Sequence, residues 1–243
     1  AQRHLQYADL RALAAGLAAV TGATLGYLSE GANAAGAALA GATPHRGVGA
    51  KGVPRLGSDA RAMLETLRNA YILFGIEPTK DLAEGAAAMT ALRKASVVAF
   101  TAFVSDELLD VADVLLPIAT FAETAGTYIN AEGRWQSFDA AADAPGDARP
   151  GWRVLRVLGN ELELPRCEYR SPSEISAELE RELGAERDLD AGETHYKGGF
   201  SPSARRAAAA AGLTLDVPIY AIDALVRRAE ALQETVLGRQ GAA

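Results

Sequence analysis

Leu10, Leu13, Leu17 and Val20 recur at helical spacing, which predicts a helix over residues 8–20 that stops at Thr21-Gly22. The apolar run at 23–28 lacks that period and reads as a short buried strand. A loop at 29–33 leads into a small-residue helix at 34–40, and 41–57 is a Gly- and Pro-rich connection. Beyond it the pattern becomes regular. Ser58 is placed to cap a helix running to Arg68, and 71–74 is a strand ending at Gly75. An Ala/Leu helix at 82–93, a strand at 96–103, a short helix capped by Ser105 and a strand at 111–116 follow. Pro117 stops the last of these. Strands that are apolar on both faces and alternate with helices predict an α/β fold. Its sheet is doubly wound and mainly parallel, with right-handed crossovers and helices on both sides.

The style changes after residue 145. Pro145-Gly146 and Pro150-Gly151 punctuate a loop, and Trp152, Leu155 and Leu158 give an amphipathic helix. A charged helix from Ser173 to near Gly184 precedes a polar stretch at 185–203, expected to be mobile, and two further helical patterns at 204–211 and 222–237. The expected organisation is an α/β domain at 1–165 and a mostly helical extension at 166–243.

Charge and cysteine content narrow the function. With 24 basic and 31 acidic residues the net charge is −7, which disfavours a general nucleic-acid binder. The lone Cys167 and three histidines, His4, His45 and His195, cannot build a Cys/His zinc set, and no internal disulfide can form. Cys167 reads as an incidental thiol. No metal ligands and no catalytic acid/base or nucleophile are assigned. No apolar run reaches the roughly 18–20 residues of a membrane span, so no direct membrane insertion is expected. The chain opens at Ala1 inside a helical pattern, as a piece cut from a longer polypeptide would.

Polar residues collect in four places. Asn130-Ala-Glu-Gly133 can turn sharply between short strands at 127–129 and 134–136. That turn would bring Glu123, Asn130, Arg134 and Gln136 to the carboxyl edge of the sheet, where open α/β sheets bind ligands. On residue types alone, the first reading of these residues is an internally paired Glu–Arg hairpin that only fixes a loop. Gly31-x-Asn33-x-x-Gly36 resembles a dinucleotide fingerprint, but Asn33 replaces the glycine that admits a pyrophosphate. Asn33 is expected to cap the next helix, and Gly36 to permit close packing; a nucleotide-binding regulatory domain is the lesser reading. Gly75-Ile-Glu77-Pro78 is expected to make a turn, although a strand-end glycine can also admit a ligand. Arg227-Arg228 lie on an amphipathic basic segment that either docks on a neighbour or faces solvent.

Ala112-Asp-Val-Leu-Leu-Pro117, then Glu123-x-x-Gly126-Thr127-x-x-Asn130-x-Glu132-Gly133-Arg134-x-Gln136, then Pro145-Gly-Asp-Ala-Arg-Pro-Gly-Trp152 together carry a family likeness. The chain resembles the molybdopterin-oxidoreductase-like region of the large peripheral-arm subunit of NADH-quinone oxidoreductase, respiratory complex I. The tail from Val217 to Gln233 resembles it more loosely. The resemblance implies part of the formate dehydrogenase/DMSO reductase-like fold with a helical C-terminal extension. It implies a parent that carries 2Fe-2S and 4Fe-4S clusters upstream, and other peripheral-arm subunits as partners. The parent would sit on the cytoplasmic side of the inner membrane, peripherally, and transfer electrons from NADH to quinone. This stretch would be a scaffold with no cofactor of its own. Complex I members are thought to have lost molybdopterin, so Glu123, Asn130, Arg134 and Gln136 would mark a remnant pterin pocket. The alternative is part of a catalytic molybdopterin oxidoreductase such as a formate dehydrogenase, in which the pocket is used.

Overall fold

Val97, Ala99 and Phe100 are wholly buried, and they mark the centre of a three-stranded parallel sheet. The computed structural model describes residues 7–26, 31–82, 84–184 and 219–239. Helix α1 (Tyr7–Thr21), α2 (Ala34–Leu39) and α3 (Ala60–Glu65) precede strand β1 (Ala70–Phe74). Helices α4 (Pro78–Asp81) and α5 (Gly85–Leu92) lead to β2 (Ser96–Thr101), and α6 (Asp106–Val111) leads to β3 (Val114–Pro117). An antiparallel hairpin of β4 (Gly126–Ile129) and β5 (Trp135–Phe138) follows. Then come α7 (Gly151–Glu161), α8 (Pro172–Leu183), α9 (Glu230–Gln233) and α10 (Val236–Arg239).

The sheet order is β1-β2-β3, with Ile72 opposite Val98 and Val98 opposite Val114. Tyr71, Leu73, Val97 and Ala99 form one core with Met89 and Leu92 of α5 and Leu108 and Val111 of α6. The crossover helices touch one another, so both crossovers lie on the same face. Strands laid down in sequential order with crossovers of one hand must place their helices on one side. The second face is apolar as expected of a two-sided parallel sheet, but it is covered only in part. Gly151 at the start of α7 sits so close to Phe74 that a Cβ there would lie 2.5 Å from the ring. Ile72, by contrast, is 60% exposed and Val114 45%. Among the described residues, the expected helices are thus present in full on one side, and on the other α7 packs against Phe74.

Element boundaries shift for local reasons. Residues 23–26 form no strand, since one large side chain, Leu25, is too little to bury; residues 27 and 28 lie outside the described residues. Asp59, not Ser58, caps α3, its carboxylate accepting from Ala62 N at 2.8 Å, and that helix stops at Glu65. Ser58 Oγ instead accepts from Arg68. Ser105 caps α6 as expected, accepting from Leu108 N, but the helix runs through Val111 and delays β3 to Val114. Ser171 caps α8, which opens at Pro172. The expected helix at 222–237 is broken into a 3-10 turn (Val226–Arg228), α9 and α10. The polar stretch at 185–203 and the pattern at 204–211 lie outside the described residues, as do His4 and His195.

Candidate functional site

All three parallel strands release their carboxyl ends on one edge. Glu77 follows β1, Phe103 follows β2, and Thr120 to Glu123 follow β3. Thr101 Oγ1 donates to Phe103 O at 2.6 Å and accepts from Phe103 N, which tightens the turn after β2.

The signature residues after β3 are used mainly on their own backbone. Glu123 and Thr120 form a capping box on the 3-10 turn Phe121–Glu123, with Thr120 N donating to Glu123 Oε2 at 2.8 Å. Asn130 Oδ1 accepts from both Glu132 N and Arg134 N, at 3.0 and 2.9 Å, and so builds the hairpin turn. Gly133 completes it at φ 79, a backbone region that glycine enters at little cost. Arg134, just before β5, and Gln136, within it, are exposed. Asp113 of the Ala112–Pro117 motif accepts from Val97 N at 2.8 Å, at the opposite, amino end of β2. That motif therefore pins α6 and β3 to β2.

The Gly31–Gly36 segment also works in tertiary structure. Asn33 makes no side-chain cap; its Oδ1 reaches across to accept from Ile129 N at 2.9 Å. Gly36 makes this possible, because a Cβ there would lie 2.1 Å from Asn33 Oδ1. The expected cap gives way because the buried amide of β4 otherwise lacks a partner.

A charged quartet, not foreseen as a group, fills the edge beside β1 and β2. Arg228 donates from Nη1 and Nη2 to the two oxygens of Glu77 at 2.8 and 3.0 Å. Its guanidinium lies 4.2 Å from the centre of the Phe103 ring. Arg227 donates from Nη2 to Asp81, and its Nη1 is 3.9 Å from Glu77 Oε1. Asp81 also accepts from Glu77 N. Glu77 is only 6% exposed. Its carboxylate hydrogen bonds and its charge hold the Arg228 guanidinium more firmly protonated than usual. The Gly75 turn and the basic segment were each visible in sequence, but 151 positions separate Glu77 from Arg228.

The molybdopterin oxidoreductase family model matches residues 1–161. The chain belongs to the molybdopterin oxidoreductase family. Among similar curated proteins is the F420-dependent formate dehydrogenase 2 subunit alpha of Methanococcus maripaludis. It is 42% identical over 74 residues, which is 30% of this chain and 11% of that one. The mitochondrial NADH-ubiquinone oxidoreductase 78 kDa subunit of Neurospora crassa is 46% identical over 57 residues, 24% of this chain and 8% of that one. The NADH-ubiquinone oxidoreductase 75 kDa subunit of Reclinomonas americana is 43% identical over 53 residues, 22% and 8%. The matched stretch thus spans about a tenth of the length of these relatives.

Membership of the molybdopterin oxidoreductase family raises the question of whether this edge suits a pterin dinucleotide. The phosphates of such a group need free cations or converging N–H donors. Between β1 and β2 the edge offers two guanidiniums, each already paired with a carboxylate, and a net charge of zero. After β3, the Glu123 and Asn130 oxygens accept from backbone amides. The Glu77, Asp81 and Arg228 charges and the Glu123 and Asn130 oxygens are thus taken up internally; Arg227 Nη1, buried without a hydrogen-bond partner, and the exposed Arg134 are donors left over. Among the described residues no group of His, Cys, Asp or Glu is gathered to hold a metal ion, and no helix is long and apolar enough to cross a membrane.

Proposed function

We propose that this chain is part of the large peripheral-arm subunit of the proton-pumping NADH:quinone oxidoreductase, where it scaffolds iron–sulfur electron transfer from NADH to quinone. The observation that carries this reading is the neutral, self-filled edge of the sheet, where a catalytic relative would need an anion-binding surface. The 75 and 78 kDa NADH-ubiquinone oxidoreductase relatives support it. The single cysteine supports it too, since clusters held on thiolates would then belong to other parts of the parent. In this reading the α/β unit at 1–165 and the extension at 166–243 perform no chemistry. Glu123, Asn130, Arg134 and Gln136 are the remnant of a pterin pocket. The partners are other peripheral-arm subunits, and the parent lies on the cytoplasmic side of the inner membrane, held there through the complex.

A second reading, part of a catalytic molybdopterin enzyme such as a formate dehydrogenase, is favoured by the longer match to the archaeal formate dehydrogenase subunit. Metal analysis of the intact parent, purified from native membranes, separates the two. Iron without molybdenum is expected. Molybdenum with a pterin would transfer the assignment to the catalytic class.

A further inference from the structure

On the carboxyl edge of the sheet, Glu77, Asp81 and Phe103 are arranged to hold cations. Glu77 presents both carboxylate oxygens to one guanidinium, and Phe103 presents its ring face to the same group. Bidentate carboxylate pairing and stacking on an aromatic face are the two features that select arginine over lysine. Asp81 takes the neighbouring Arg227. The donor segment is braced to deliver both arginines. Asp223 Oδ1 accepts from Leu225 N and Val226 N, and Gln233 Nε2 donates to Tyr220 O and Val226 O at 3.1 Å each. Arg228 Nη1 also donates to Ala224 O at 2.9 Å, which fixes the guanidinium against its own turn.

We propose that the crevice formed by Glu77, Asp81 and Phe103 is an arginine-recognition site, filled by the chain's own segment at 219–239, which thereby latches the sheet edge shut. The occupant is named by the geometry: two arginines on one turn, each matched to one carboxylate. Desolvation offsets much of the attraction in such a part-buried pair, so it adds little net stability, which suits a latch. The latch holds whichever metal content the parent proves to have, so it stands or falls apart from the scaffold reading.

Hydrogen–deuterium exchange on the whole chain tests it. In the wild-type protein the amides at 225–234 are expected to be protected. Glu77→Gln should speed their exchange by about tenfold or more, with β2 and α5 unchanged, because only the docked segment opens. Arg228→Lys, which leaves the sheet untouched, should do nearly the same, since an ammonium cannot pair with both oxygens. Combining Glu77→Arg with Arg228→Glu should restore part of the protection. A segment that exchanges freely in the wild-type chain, or one that Glu77→Gln leaves as protected as before, would overturn the latch. Wild-type protection in Arg228→Lys would overturn the selectivity for arginine.

Discussion

At the scale of single residues, the side chains that carry the family signature act as backbone partners. Asp113 satisfies the amide of the wholly buried Val97. Asp113→Ala should therefore cost about 1–2 kcal/mol in denaturant unfolding, whereas Asp113→Asn, which keeps an acceptor, should cost clearly less. Glu123 caps a turn through one oxygen. Glu123→Gln should leave the melting temperature nearly unchanged and Glu123→Ala should lower it, because the cap needs an acceptor and not a charge. Gly36→Ala would push Asn33 away from Ile129. The expected loss is about 1–2 kcal/mol, the gain in helix propensity offsetting part of a lost buried hydrogen bond. Adding Asn33→Ala to Gly36→Ala should then cost little more, as residues acting on one bond are not additive. The motif residues were legible in the sequence as polar groups at set spacings. Their roles were not, because the amide that Asn33 serves lies 96 positions away.

At the scale of elements, short-range rules carried most of the reading. Asn130 and Gly133 announce the hairpin, and β4 and β5 form around that turn with Tyr128 opposite Gln136. Ser105 and the apolar runs at 71–74 and 96–101 likewise give α6, β1 and β2. The C-terminal segment departs from its helical period. Arg227 and Arg228 are held to Glu77 and Asp81, and the segment runs as short turns in place of the expected helix. Helix α8 offers a test by pH. Tyr169 donates to Glu178 Oε2 at 2.7 Å, and burial first, then that carboxylate, raises its phenol above the ordinary value near 10. The folded state thus holds the Tyr169 proton more tightly than the unfolded state. The resulting stabilisation is complete below pH of about 10 and is lost as the pH climbs through the folded value. Tyrosinate absorbance should show a late-titrating component that is lost in Tyr169→Phe.

At the scale of the whole molecule, the second face of the sheet is incompletely covered. Ile72, Val98 and Val114 form a row across the three strands, with Ile72 and Val114 exposed. Contiguous apolar surface of this kind promotes association. The isolated chain should self-associate with rising concentration, and Ile72→Thr should reduce this in sedimentation velocity while leaving unfolding within about 0.5 kcal/mol, as expected of an exposed site. By itself the sequence determined the parallel α/β sheet, the hairpin and the Ser105 cap, because apolar period, turn residues and that cap act within a few positions. Tertiary structure alone decided the rest. Which face of the sheet the crossovers cover depends on strand order. Whether Asn33 caps a helix or serves β4, and whether Arg228 meets solvent or Glu77, depends on charges and buried amides that only folding brings together.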